Sequence, residues 1–238
     1  MSTLFEEIDY CPTPIGPISL RRRRVLSLDQ DVYEVILGDE HLMSSLFTAS
    51  EIALSKLGLA ALEGSALDVV VGGLGMGYTA AAALEDERVA SLQIIEFLEP
   101  IIEWHRDNLM PLDPPLSADG RCSIRQGDFF ELVRTESGFD ANQPKRKYDA
   151  ILVDIDHTPD WLLDERSQSF YHVEGLREIA GHLKPGGVFG LWSDTTEDKN
   201  FTDRLAQVFD KNWVEPVTFP NPYLGDTFTQ CVYLACKK

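Results

Sequence analysis

Three glycines at alternate positions, Gly73, Gly75 and Gly77, close an apolar, β-branched run, Leu67-Asp-Val-Val-Val-Gly72. Further along, acidic residues stand where other apolar runs end: Glu96, Asp128, and the pair Asp154 and Asp156 with His157 beside them. Glycine serves where the backbone must turn with positive φ, or where a ligand comes too close for a Cβ. Carboxylates at strand ends can accept bonds from sugar hydroxyls, attract a cation, or take a proton from a nucleophile. Together these residue types point to a nucleotide-like ligand next to acid–base chemistry. The spacing excludes two common versions. A dinucleotide fingerprint needs a glycine where Tyr78 stands, and a P-loop needs a lysine that this turn lacks.

What remains, Gly73-x-Gly75-x-Gly77, is similar to the turn of S-adenosylmethionine-type enzymes. Glu96, about 20 residues past the glycines, suits the ribose hydroxyls; its plain alternative is an exposed carboxylate at a helix entry. Asp128 can accept from an adenine amine, cap the helix that opens at Phe129, or do both. Asp154 and Asp156, two apart on a strand end, are expected to point the same way, so that their charges compete and one pKa rises. Such a pair can draw an ammonium and strip its proton; an alternative is a loop-closing role. His157 can relay a proton or be an ordinary loop residue. The histidines form no metal-ligand cluster, so no metal is expected. Residues 156–169 carry Trp161, Leu162 and Leu163 among charges, which fits a water-excluding lid or a fixed surface loop. Trp104, Trp192 and Trp213 read as core.

The elements that must position these residues follow from periodicity. Residues 1–47 lack a helical period and read as a small β region, with strands at 18–20, 25–28 and 32–37. Thr48 reads as an N-cap with Glu51 three residues on, a capping box opening a helix. Strands follow at 68–71, 91–96, 122–126, 148–153 and 188–192. Helices alternate with them at 78–84, 100–108, from Phe129, and at 169–183 and 201–209. Two last strands, 214–219 and 227–234, read as an antiparallel pair. The expectation is an α/β, doubly wound, Rossmann-like and mostly parallel sheet over residues 48–238, with a C-terminal antiparallel hairpin and a small N-terminal β appendage.

Acidic residues outnumber basic ones 39 to 21, for a net charge of −18. That field repels nucleic acid and anionic membranes and attracts cations. The one basic run, Arg21 to Arg24, reads as the solvated part of a strand edge. Cys11, Cys122, Cys231 and Cys236 make no CxxC pair and read as reduced thiols. With no signal-like N-terminus and no apolar run near 20 residues, a cytoplasmic location is expected.

With these residues placed, the chain resembles the spermidine synthase (polyamine aminopropyltransferase) family, a branch of the class I methyltransferase fold. The likeness rests on Gly72-Gly-Leu-Gly-Met-Gly77, Glu96, Gly127-Asp128, Tyr148-Asp-Ala-Ile-Leu-Val-Asp154, Ser169-Phe-Tyr171 and Leu183-Lys-Pro-Gly-Gly-Val-Phe189. The resemblance implies a decarboxylated S-adenosylmethionine or S-adenosylmethionine co-substrate, a small cationic amine acceptor, and a homodimer. It further implies that Asp154 activates the amine and that Tyr171 lines the acceptor site. Two positions depart from the family pattern. Gly75 stands where an aspartate usually holds the donor's ammonium, and a Tyr-His-Glu motif appears as Ala49-Ser50-Glu51, keeping only the glutamate. Aminopropyl transfer to a polyamine is therefore expected alongside two alternatives: methyl transfer to a small acceptor, and a non-catalytic nucleoside-binding relative.

Overall fold

The computed structural model describes residues 4–238; residues 1–3 of the expected N-terminal β region lie outside them. The chain forms two sheets. The first is antiparallel, in the order β1 (Phe5–Cys11), β2 (Ile18–Val25), β3 (Gln30–Leu37) and β4 (Glu40–Ser44). Two of its strands, β1 and β4, escape sequence reading. β1 is exposed or half-buried throughout, so no inside–outside alternation marks it. Its Glu6 pairs with Arg22 at 2.7 Å across the ladder. The expected strands at 18–20 and 25–28 are instead one strand, β2, that runs through the arginines and ends at Val25. Arg23 meets Glu34 at 2.8 Å and Arg24 meets Asp29 at 2.5 Å, so the basic run is matched by carboxylates.

The second sheet has seven strands. β5 (Leu67–Gly72) is central and pairs in parallel with β6 (Val89–Glu96) on one side and β8 (Tyr148–Val153) on the other. Beyond β6 lies β7 (Cys122–Gln126); beyond β8 lie β9 (Leu183–Ser193), then antiparallel β11 (Asp226–Cys236) and β10 (Lys211–Asn221). The apolar runs are continuous because both faces of the sheet are buried. Val69, Val71, Ala150 and Leu152 enter one core; Val70, Ile151 and Val153 enter the other. Helices α1 (Ala49–Ala60), α2 (Tyr78–Leu84) and α3 (Glu99–Arg106) contribute Leu54, Leu59, Ala80, Ile101 and Trp104 to the first core. Helices α4 (Phe129–Arg134), α5 (Val173–His182) and α6 (Lys199–Leu205) come later, and α5 and α6 contribute Leu176, Ile179, Phe201 and Leu205 to the second core. This is the expected α/β, doubly wound architecture, and among the described residues no helix is long and apolar enough to cross a membrane.

Two local expectations are corrected. The helix expected over 169–183 is a 3-10 segment, Glu165–Tyr171, followed by α5, with His172 extended between them at φ −90° and ψ 166°. Thr48 does precede α1, but at φ −118° and ψ −1° its side chain makes no cap bond, and Glu51 closes no capping box.

Candidate active site

The order in which strands are added reverses between β5 and β8, and a cavity of about 630 Å³ opens there at the carboxyl ends of the strands. Its floor is the glycine turn. Gly73, Gly75 and Gly77 have φ of +92°, +50° and +92°, a conformation that strains any residue with a Cβ. The bareness of the turn also serves the protein's own packing. A Cβ on Gly73 would run into the carbonyl oxygen of Asp154, and one on Gly75 would lie 3.2 Å from the Met43 sulfur. His105, which sequence reasoning passed over, holds the turn from below, with Nε2 2.8 Å from the Gly75 carbonyl oxygen. Because a carbonyl only accepts, the proton sits on Nε2, and burial pushes the His105 pKa down, favouring this neutral form.

Glu96, at the end of β6, lies in the cavity wall and is 7% exposed. Its Oε2 accepts from the Leu74 amide at 2.9 Å and its Oε1 from the Leu98 amide at 2.7 Å. The glutamate therefore fixes the glycine turn against α3's entry. Burial pushes its carboxyl above the ordinary value, opposed by these amides. Asp128 caps α4, its Oδ1 accepting from the amides of Phe130 at 2.9 Å and Glu131 at 3.2 Å. It also borders the cavity, and neither cap bond uses Oδ2.

The aspartates at the end of β8 do not point the same way. Asp154 borders the cavity and accepts from the Thr79 hydroxyl at 2.6 Å; burial, only partly opposed by that bond, pushes its pKa up to about 6. Asp156 turns back into its own loop. Its Oδ1 accepts from the Leu163 amide at 2.7 Å, and its Oδ2 from Tyr171 at 2.7 Å and Ser167 at 3.1 Å. The carboxylate that competes with Asp154 is instead Glu51, brought to the cavity by α1: burial and the Asp154 charge both raise its pKa well above the ordinary value. Tyr171 is 1% exposed, outside the cavity lining, and its hydroxyl is spent on Asp156. His157 does line the cavity, its ring tilted 37° to that of Trp161 at 4.5 Å between centroids, and its Nε2 3.1 Å from Glu40 without hydrogen-bond geometry.

One further cluster had no local sequence signal. Trp192, expected in the core, sits in the cavity wall and donates from Nε1 to Ser50 Oγ at 2.8 Å. Ser50 donates to Gln230 Oε1, and Gln230 donates to Asp194 Oδ1, both at 2.5 Å. The chain of bonds joins α1, β9 and β11, and fixes Asp194 at the rim of the same cavity.

Fold and site together define a Rossmann-like α/β protein whose switch-point cavity is bordered by two pairs of carboxylates, Glu96 with Asp128 and Glu51 with Asp154. No family model matches the chain. A polyamine aminopropyltransferase from Sulfolobus acidocaldarius is 25% identical over 151 residues, covering 63% of this chain and 45% of that protein, so the match spans less than half of the relative. A spermidine synthase solved in complex with the transition state analogue AdoDATO superimposes with a TM-score of 0.73 at 16% identity, over 98% of this chain and 74% of that one. The Thermotoga maritima spermidine synthase gives 0.70 at 17% identity, over 98% and 73%. The chain thus has the spermidine synthase fold, and the likeness drawn from its motifs extends to the whole architecture.

Proposed function

We propose that this chain is a spermidine synthase-like transferase that moves an alkyl group, aminopropyl in first place, from an adenosyl sulfonium to an amine. The observation that carries this reading is the convergence of two kinds of carboxylate on one cavity. Glu96 and Asp128 flank the glycine turn on the side of β6 and β7, while Glu51 and Asp154 flank it on the side of α1 and β8. A cavity of about 630 Å³ falls within the roughly 300–1,000 Å³ of small-molecule sites. The residues fit the donor: acceptor groups for ribose and adenine on one wall, and negative charge for the sulfonium and the amine on the other. The polyamine aminopropyltransferase similarity supports the same substrate class. Residues 48–238 would carry catalysis, with 1–47 as an appendage whose Met43 closes one side of the cavity.

In this reading Glu96 accepts from the ribose hydroxyls, and Asp128 from the exocyclic amine of adenine. Asp154 accepts a proton from the amine, whose nitrogen then forms the new bond to carbon as the carbon–sulfur bond breaks toward sulfur. Positioning and removal of water from the sulfonium would supply most of the acceleration, since its charge disperses in the transition state. His157 and Asp194, on the acceptor side, would help to hold the amine.

Methyl transfer is the second reading, favoured by one specific contact. The space beside Gly75, where a carboxylate would hold a donor ammonium, is filled by the Met43 thioether. Thermal shift with S-adenosylmethionine, its decarboxylated form and methylthioadenosine separates the readings. Larger stabilisation by the decarboxylated donor is the expected result, and larger stabilisation by S-adenosylmethionine would move the assignment to methyl transfer. A protein that none of the three stabilises would be a non-catalytic relative.

A further inference from the structure

Glu51 and Asp154 reach the cavity from different elements and share one neighbour, Thr79. The threonine hydroxyl lies 2.6 Å from Asp154 Oδ2 and 3.3 Å from the Glu51 carbonyl oxygen. Glu51 Oε2 is buried and has no hydrogen-bond partner among the described residues. The groups around the pair offer it no positive charge. On α2, Tyr78 is held neutral, its pKa pushed up to about 12 by burial and by Glu51. On β4, His41 lies 3.5 Å from Glu34, and His157, after β8, turns to Glu40. Asp156 is occupied by its loop, and Asp194 by Gln230. Both carboxylates line the one cavity, Glu51 Oε2 is buried without a partner, and no cation offsets either charge, so the arrangement favours keeping one proton or taking up one cation.

We propose that Glu51 and Asp154 hold a single exchangeable proton in the free protein, and that the acceptor's ammonium group displaces it on binding. This rests on the amine-acceptor reading above. The ammonium enters and the pair's proton leaves to solvent, so that the cation sits against two charged carboxylates. The ammonium then passes one of its own protons to the pair through Asp154 and becomes a neutral amine. Its lone pair forms the nitrogen–carbon bond, the carbon–sulfur electrons stay on sulfur, and a neutral thioether and a secondary ammonium result. Departure of that product leaves the pair holding one proton again, and one proton has been released per turnover. Glu51 acts here as a positioning residue: it makes proton uptake by Asp154 favourable without touching the reacting atoms.

The test is calorimetric titration of the protein with putrescine as probe at pH 7, in buffers of different ionisation enthalpy, with methylthioadenosine present. The wild type is expected to release about one proton per putrescine bound, because the pair loses its single proton. Glu51→Gln is expected to release almost none, since Asp154 freed from its like-charged neighbour is already ionised. Putrescine binding without proton release in the wild type overturns the proposal, as does equal release by Glu51→Gln. The wild-type comparison is decisive if the variant does not fold. Failure of putrescine to bind while methylthioadenosine binds also overturns it; failure of methylthioadenosine to bind overturns the transferase reading instead.

Discussion

Asp154 carries the sharpest conflict between stability and function. Its carboxyl is displaced from 3.8 to about 6, chiefly by burial, with the Thr79 hydroxyl opposing. The raised value means that folding favours the protonated form. Its contribution to stability is full below the unfolded value and is lost as pH rises through about 6. Asn keeps an oxygen for Thr79 and has no charge to bury. Asp154→Asn is therefore expected to raise the thermal midpoint at pH 8 but not at pH 4, to leave methylthioadenosine binding near normal, and to lower turnover about 10²–10⁴-fold. In the wild type, turnover should fall as pH drops through about 6. Intact turnover in Asp154→Asn would remove the aspartate from its proposed role. At this scale the sequence is legible where a residue's neighbours are close in the chain. Gly73, Glu96 and Asp128 lie at strand ends, and their positions follow from periodicity alone. Glu51 and Asp154 reach one cavity from α1 and the end of β8, with Thr79 of α2 against the Glu51 backbone and the Asp154 carboxylate, and no local spacing records that.

Among the elements, the segment 156–171 illustrates how a reading fails without long-range partners. An Asp-x-Asp pair on a strand end suggests two parallel side chains, and Asp156 would have remained so had the chain continued straight. Instead it accepts bonds from residues 7, 11 and 15 positions on: Leu163, Ser167 and Tyr171. The carboxylate thereby ties the loop and the 3-10 segment Glu165–Tyr171 to the end of β8. The same geometry explains the misplaced helix start, because Tyr171 must face Asp156 while His172 is extended before α5 begins. Asp156→Ala would leave the buried Tyr171 hydroxyl unpaired, at a cost of about 1–3 kcal/mol. The expected result is a lower denaturant midpoint, with faster amide exchange confined at first to 156–171. Unchanged exchange there would show that the loop is held by apolar packing of Leu162 and Phe170 rather than by the carboxylate. The central strands β5 and β8, by contrast, are readable from the sequence, since burial on both faces writes each as a nearly unbroken apolar run. β1 is not, because arginine–carboxylate pairing across the ladder, and not an apolar face, accompanies it.

For the molecule as a whole, the net charge of −18 becomes specific only through its distribution. Glu51, Glu96, Asp128, Asp154 and Asp194 all border the cavity. The two arginines in the same lining have their own partners: Arg166 pairs with Asp164 at 2.6 Å, and Arg134 donates to Ser169. A cleft lined by one sign of charge concentrates ligands of the other sign and accelerates their capture. A cationic amine would feel that field from beyond the rim, whereas methylthioadenosine, which is neutral, would not. The Debye length shrinks to about 8 Å at 0.15 M salt, so most of the long-range attraction is lost there, while contacts inside the cavity persist. Raising salt from about 20 to about 300 mM is expected to lower kcat/KM for a polyamine acceptor by roughly tenfold. Over the same range kcat at saturating amine and the affinity for methylthioadenosine should change little. Steady-state kinetics paired with calorimetry at each salt concentration would read both quantities. Equal weakening of the amine and the neutral thioether would mean that the acidic surface serves solubility alone and has no part in drawing the acceptor to Asp154.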